Sequence, residues 1–186
     1  MSNLYNKDKS RWSNHRRAIL KRLRQNDPIL THLNLGGNRI TDERATALAE
    51  ALKTNMVLMT LSLSNNAIIN EGATALSEAL KTNTVLTTLN LYSNAITNEG
   101  ATALAEALKT NTALTTLYLM SNKITNEGAT ALAEALKTNT VLTDLDLWNN
   151  QISDEVDKEI AKRIKDCKEE EERKQRDAQL RLQWEK

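Results

Sequence analysis

From Leu30 onward the chain returns to the same phrase every 28 residues. Leu30, Leu58, Leu86, Leu114 and Leu142 each open a segment of the form L-x-x-L-x-L-x-x-N-x-I. The five instances are LTHLNLGGNRI, LMTLSLSNNAI, LTTLNLYSNAI, LTTLYLMSNKI and LTDLDLWNNQI. Between them, TNEGATALAEALKTNT occurs at 97–112 and again at 125–140, and INEGATALSEALKTNT stands at 69–84. A unit this short cannot bury an apolar face alone. Copies must stack so that each covers the next, which limits the chain to a solenoid.

Within each unit the periodicity changes once. In LNL or LYL the alternation is apolar–polar–apolar, so the leucines of a short strand point inward and the middle residue outward. The Asn that follows (Asn38, Asn66, Asn94, Asn122, Asn150) is read as structural, because loop backbone leaving a strand needs hydrogen-bond partners. Thr41, Thr97, Thr125 and Ser153, or the Asp and Asn after them, are expected to cap the helix that starts there. Along that helix Ala101, Leu104, Ala105 and Leu108 fall at i, i+3, i+4 and i+7, one apolar face, while Glu106 and Lys109 face water. Asn55, Asn83, Asn111 and Asn139 follow the helices and are expected to end them in left-handed geometry. Each strand returns through a helix, so all strands run parallel. The expected fold is α/β: a short arc with the sheet concave and the helices convex.

The termini differ from the repeats. Residues 1–29 read as an N-terminal capping helix, with Ile19 and Leu23 toward the first repeat. Residues 30–152 hold the repeats, the fifth incomplete. Residues 153–186 read as a closing helix, with a stripe of Val156, Ile160, Ile164 and Cys167, and a charged extension. There Leu180 and Trp184 are either further contacts for a partner or packing for the last helix.

The 28-residue period, the pattern around NxIT and a full helix per repeat resemble the ribonuclease-inhibitor type of leucine-rich repeat. The resemblance spans about residues 30–166. It implies a protein-binding scaffold whose concave face carries the contact, with no enzyme chemistry and no cofactor. Few, nearly identical repeats and the acidic block EEEE at 169–172 also resemble repeat effectors that intracellular bacterial pathogens deliver through type IV secretion. That second resemblance implies a host-cytosol location. Taken alone, the acidic run is better explained by a solvated charged helix, since charge runs are common on exposed helices.

Specificity is sought where the copies differ. Repeats 86–113 and 114–141 differ at four positions: Ala113/Val141, read as a core adjustment, and Asn90/Tyr118, Tyr92/Met120 and Ala95/Lys123. The last three lie on the outward side of the strand or just beyond it. Reading those columns through all repeats gathers Tyr92, Tyr118, Met120 and Trp148 in the last three, flanked by Asp144 and Asp146. Clustered aromatics and Met are the anchors of protein interfaces. The partner-binding set is therefore His32, Tyr92, Tyr118, Met120, Lys123, Asp144, Asp146 and Trp148, on a sheet roughly 20 Å across. A protein partner should offer Lys or Arg to the two acids.

Composition narrows the alternatives. Net charge is +1, so no strong field points at nucleic acid or membrane. There is no Phe, so the core must be Leu, Ile, Val and Ala. A single cysteine excludes an internal disulfide and favours a reducing, cytoplasmic compartment. No apolar run approaches a membrane span, and the N-terminus has no hydrophobic core of a Sec signal. His15 and His32 have no nucleophile beside them, and two Asp without a third ligand are a weak metal signal. The expectation is a non-enzymatic module, monomeric when free, acting by steric occlusion or tethering. Two other classes remain open. One is a GTPase activator or other enzyme accessory, for which Arg39 is the sole arginine in the variable loop positions. The other is nucleic-acid binding by the basic cap (Lys7, Lys9, Arg11, Arg16, Arg17, Lys21, Arg22, Arg24, with Tyr5 and Trp12).

Overall fold

The computed structural model describes residues 17–184. Tyr5, Lys7, Lys9, Arg11, Trp12, His15 and Arg16 of the basic cap lie outside the described residues. Helical residues 17–24 (α1) open the stack. Strands β1 (His32–Asn34), β2 (Thr60–Ser62), β3 (Thr88–Asn90), β4 (Thr116–Tyr118) and β5 (Asp144–Asp146) follow, alternating with helices. These are α2 (Asp42–Leu52), α3 (Asn70–Leu80), α4 (Asn98–Leu108), α5 (Asn126–Ala135) and α6 (Asp154–Trp184). The strands form one parallel sheet in sequence order. The register is one full repeat, so Leu61, Leu89 and Leu117 stack beside one another.

The core lies between sheet and helices. Leu58, Leu86 and Leu114, the strand leucines, and Ile68, Ile96 and Ile124 are almost wholly buried, as are Ala101, Leu104, Ala105 and Leu108. Burying each such Leu or Ile side chain contributes about 1.5–3 kcal/mol. Ile19 and Leu23 cover the first repeat, and Ile160 and Cys167 the last, with Val156 and Ile164 partly buried beside them. On the convex side Glu106 and Lys109 pair at 2.6 Å, and the other repeats make the same pair. Ala113 and Val141 are half-buried at the turn into the strand, not core residues.

Two asparagine ladders hold the loops. In the first, Asn122 Nδ2 donates to the carbonyls of Leu91 and Leu119, and its Oδ1 accepts from the amide of Ile96 in the preceding repeat. Asn66, Asn94 and Asn150 do the same. The second ladder corrects an expectation. Asn55, Asn83, Asn111 and Asn139 do not end the helices in left-handed geometry. They are buried, and Asn111 is typical. It donates to Leu80 and Asn83 carbonyls and accepts from the amides of Ala113 and Leu114, turning the chain back into the sheet. Left-handed backbone sits instead one residue before the first ladder, at Gly37, Asn65, Ser93, Ser121 and Asn149, and at Asn26 and Arg39.

Helix capping also differs from the local expectation. Thr41, Thr97 and Thr125 occupy the N-cap positions but make no side-chain cap bond. The cap comes from the preceding repeat. Asn70 Oδ1 accepts from the amides of Thr97 and Gly100 at the start of α4, and Asn98 does so for Thr125 and Gly128 of α5. Asp42 serves α3 through Ile69 and Gly72. A Cβ at Gly100 would lie 2.8 Å from Ile96 Cγ2 and 3.0 Å from Asn70 Oδ1, so the close approach requires glycine.

Candidate protein-binding face

The concave face is built by the outward residues of the strands. Pairing sets Thr88, Thr116 and Asp144 in one row and Asn90, Tyr118 and Asp146 in the next. A third row lies at the strand exits. There the amide of Asn65 donates to Tyr92, that of Ser93 to Met120 and that of Ser121 to Trp148. Tyr92, Met120 and Trp148 therefore stand on successive repeats, about 4.8 Å apart along the sheet. The sequence-derived anchors are brought together, but not uniformly exposed. Trp148 is 71% exposed, whereas Tyr92, Tyr118 and Met120 are half-buried. Alternation along a strand assigns a face and not a degree of exposure.

The acids are tied into this surface. Tyr118 Oη donates to Asp144 Oδ2 at 3.0 Å. That bond, with burial and the negative charge of Asp144, holds the Tyr118 hydroxyl above its ordinary pKa. Asp146 Oδ1 accepts the amide of Trp148 at 2.9 Å, an Asx turn that sets the Trp backbone. Asn34 and Asn90 make the same turn onto Gly36 and Tyr92. Among the described residues neither Asp144 nor Asp146 has an ion-pair partner. Two half-buried carboxylates framed by aromatic rings suit a cationic side chain, by charge and by the ring faces.

Two members of the set lie apart. His32 is on β1, at the far side of the sheet, where its Nδ1 meets the Thr31 hydroxyl at 2.9 Å. Lys123 is exposed in the loop beyond β4, past Met120. Leu180 is exposed on the far part of α6, and the side chain of Trp184 lies outside the described residues. Exposed apolar residues also occur outside these strand columns. Ile29, Met56 and Met59 are exposed at the helix-to-strand turns of the first repeats. Met56 and Met59 stand where later copies have Thr (Thr84, Thr87), and this departure from the repeat is their signal in the sequence.

Residues 15–108, half of the chain, match the family described as the TMOD/LMOD leucine-rich domain. The chain belongs to that family. Residues 110–133 and 138–155 match a general leucine-rich repeat family. No curated protein sequence matches this TMOD/LMOD-type chain significantly. Among solved structures, leiomodin-1 actin-binding site 2 superposes with a TM-score of 0.78 at 28% identity, covering 88% of this chain and 95% of that one. The C-terminal domain of Caenorhabditis elegans tropomodulin superposes with a TM-score of 0.76 at 22% identity, covering 86% and 97%. The second likeness is one of fold.

Proposed function

We propose that this leucine-rich domain is a non-enzymatic protein-binding module whose concave face, toward its C-terminal end, grips a partner and acts by steric occlusion or tethering. The observation that carries the reading is the assembly of Tyr92, Tyr118, Met120 and Trp148 on three consecutive repeats, beside two carboxylates that have no ion-pair partner among the described residues. Actin is the first partner to test, because the leiomodin-1 structure similar to this chain over 88% of its length is an actin-binding site. The 28-residue period and the full helix in each repeat support grouping it with ribonuclease-inhibitor-type repeats. The near-identical repeats and the acidic block support delivery into a host cytosol by a bacterial type IV system. The single buried cysteine favours a reducing cytoplasm.

The test is binding of monomeric and filamentous actin by the wild type and by Tyr92→Ala/Tyr118→Ala/Trp148→Ala, with capture from cytosolic lysate read by mass spectrometry. Loss of capture with an unchanged circular dichroism spectrum supports the concave face. Capture that survives the triple substitution removes it.

A further inference from the structure

Along the solenoid each repeat offers the same backbone groups to the next. The Thr115 carbonyl accepts from the amides of Thr143 and Asp144, Leu119 N donates to Asp146 O, and Ser121 N donates to Trp148 O. In the last repeat the counterparts are Thr143 O, Leu147 N and Asn149 N. None of these three has a partner among the described residues. β5 is the outermost strand, and its central Leu145 is only partly buried, whereas Leu61, Leu89 and Leu117 are fully enclosed. The α6 helix closes the helical layer at this end and leaves the strand edge open.

An open edge is a template for another strand, and proteins defend such edges with charge. Here the outward residues of the edge strand are Asp144 and Asp146. Two copies joined by a twofold axis would pair β5 antiparallel to itself and set these acids against each other, which is unfavourable. The same charges favour a cationic occupant. We propose that the free edge of β5 accepts an extended segment of a partner protein as a sixth strand, with Lys or Arg on alternate residues facing Asp144 and Asp146 and an apolar residue between them covering Leu145. Backbone bonds to Leu147 N, Asn149 N and Thr143 O fix the segment, and Tyr118 and Trp148 flank the incoming cations. The proposal rests on the concave-face reading only for the side chains. Its backbone component can fail separately.

The probe is an acetylated peptide of about six residues alternating lysine and valine, titrated into the isotope-labelled full chain. The expected result is slowed exchange and shifted signals at the Leu147 and Asn149 amides. Affinity should fall about tenfold or more with alternate N-methylated amides in the peptide, and likewise with Asp144→Asn/Asp146→Asn. Absence of binding at millimolar peptide overturns the proposal. Undiminished binding of the N-methylated peptide also overturns it, while leaving the concave face as a charge-and-ring site. A concentration-dependent dimer of the free protein with a protected Leu147 amide overturns it in favour of a second copy.

Discussion

The thiol of Cys167 donates to the carbonyl of Asn139, 28 residues earlier, at 3.2 Å. Asn139 donates in turn to Asn111, and Asn111 to Asn83, so Cys167 stands where the next asparagine of the buried ladder would be. KDC at 165–167 replaces the KTN of 137–139. A thiol can continue the donor side of the ladder. It cannot match the amide oxygen that accepts two amides further on and turns the chain into a strand. The helix accordingly runs on past Cys167 to Trp184, 31 residues and about 46 Å in all. Lys174 Nζ still reaches Thr140 Oγ1, and residues 175–181 are exposed.

Burial pushes the Cys167 thiol up, with Glu170 and Asp166 adding to the shift, so the native protein should carry it protonated at neutral pH. A disulfide reagent should label it slowly in buffer and at an ordinary rate in urea. Cys167→Ala, which loses the hydrogen bond and some packing, should lower unfolding stability by about 1–2 kcal/mol in a urea titration. Fast labelling of the folded chain would contradict the ladder contact.

Asn111→Ala strips partners from two carbonyls and two amides in a buried site. Unsatisfied buried groups cost about 1–3 kcal/mol each, and partial hydration relieves some, so a loss of about 3 kcal/mol is expected. Asn38, at the open end of the other ladder, makes one side-chain bond, to Gly36, and Asn38→Ala should cost about 1 kcal/mol. Denaturant midpoints at constant slope compare the two. Equal losses would mean that the ladder position does not matter.

At Gly128 an added Cβ would sit 2.9 Å from the Asn98 Cα, a backbone atom that cannot swing away. Alanine is the better helix former by about 1 kcal/mol, but overpacking of this kind costs about 1–3 kcal/mol. Gly128→Ala should therefore be net destabilising, on the order of 1 kcal/mol, by thermal unfolding. A rise in melting temperature would show that the helices can separate freely.

The bond to Asp144 raises the Tyr118 pKa. With the folded value above the unfolded one, the stabilisation is complete below the ordinary tyrosine range, about pH 10, and is lost as pH rises through the folded value. Absorbance titration should show one late-ionising tyrosine. Asp144→Asn should bring it back toward the ordinary range, and Tyr118→Phe should remove it and flatten the alkaline fall in stability. No change in either variant would place the hydroxyl elsewhere.

Much of the architecture was legible from Leu30, Leu58, Leu86, Leu114 and Leu142, because one register of apolar residues admits one stacking. Tyr92, Tyr118, Met120 and Trp148 were legible as one surface because strand alternation assigns a face. His32 shares that face, yet three strands separate it from Asp144, and position in a column says nothing about distance across the sheet. Met56 and Met59 carried the same kind of signal, a departure from the Thr of later copies.

The order of residues alone determined the period, the parallel sheet and the inward leucines, since these follow from spacing along the chain. Tertiary structure decided what spacing cannot express. Asn70 caps α4 rather than its own helix, and Asn111 bonds carbonyls of the repeat before it. Tyr118 is half-buried and spends its hydroxyl on Asp144. Each of these groups bonds across about one repeat, to atoms that become neighbours only after stacking.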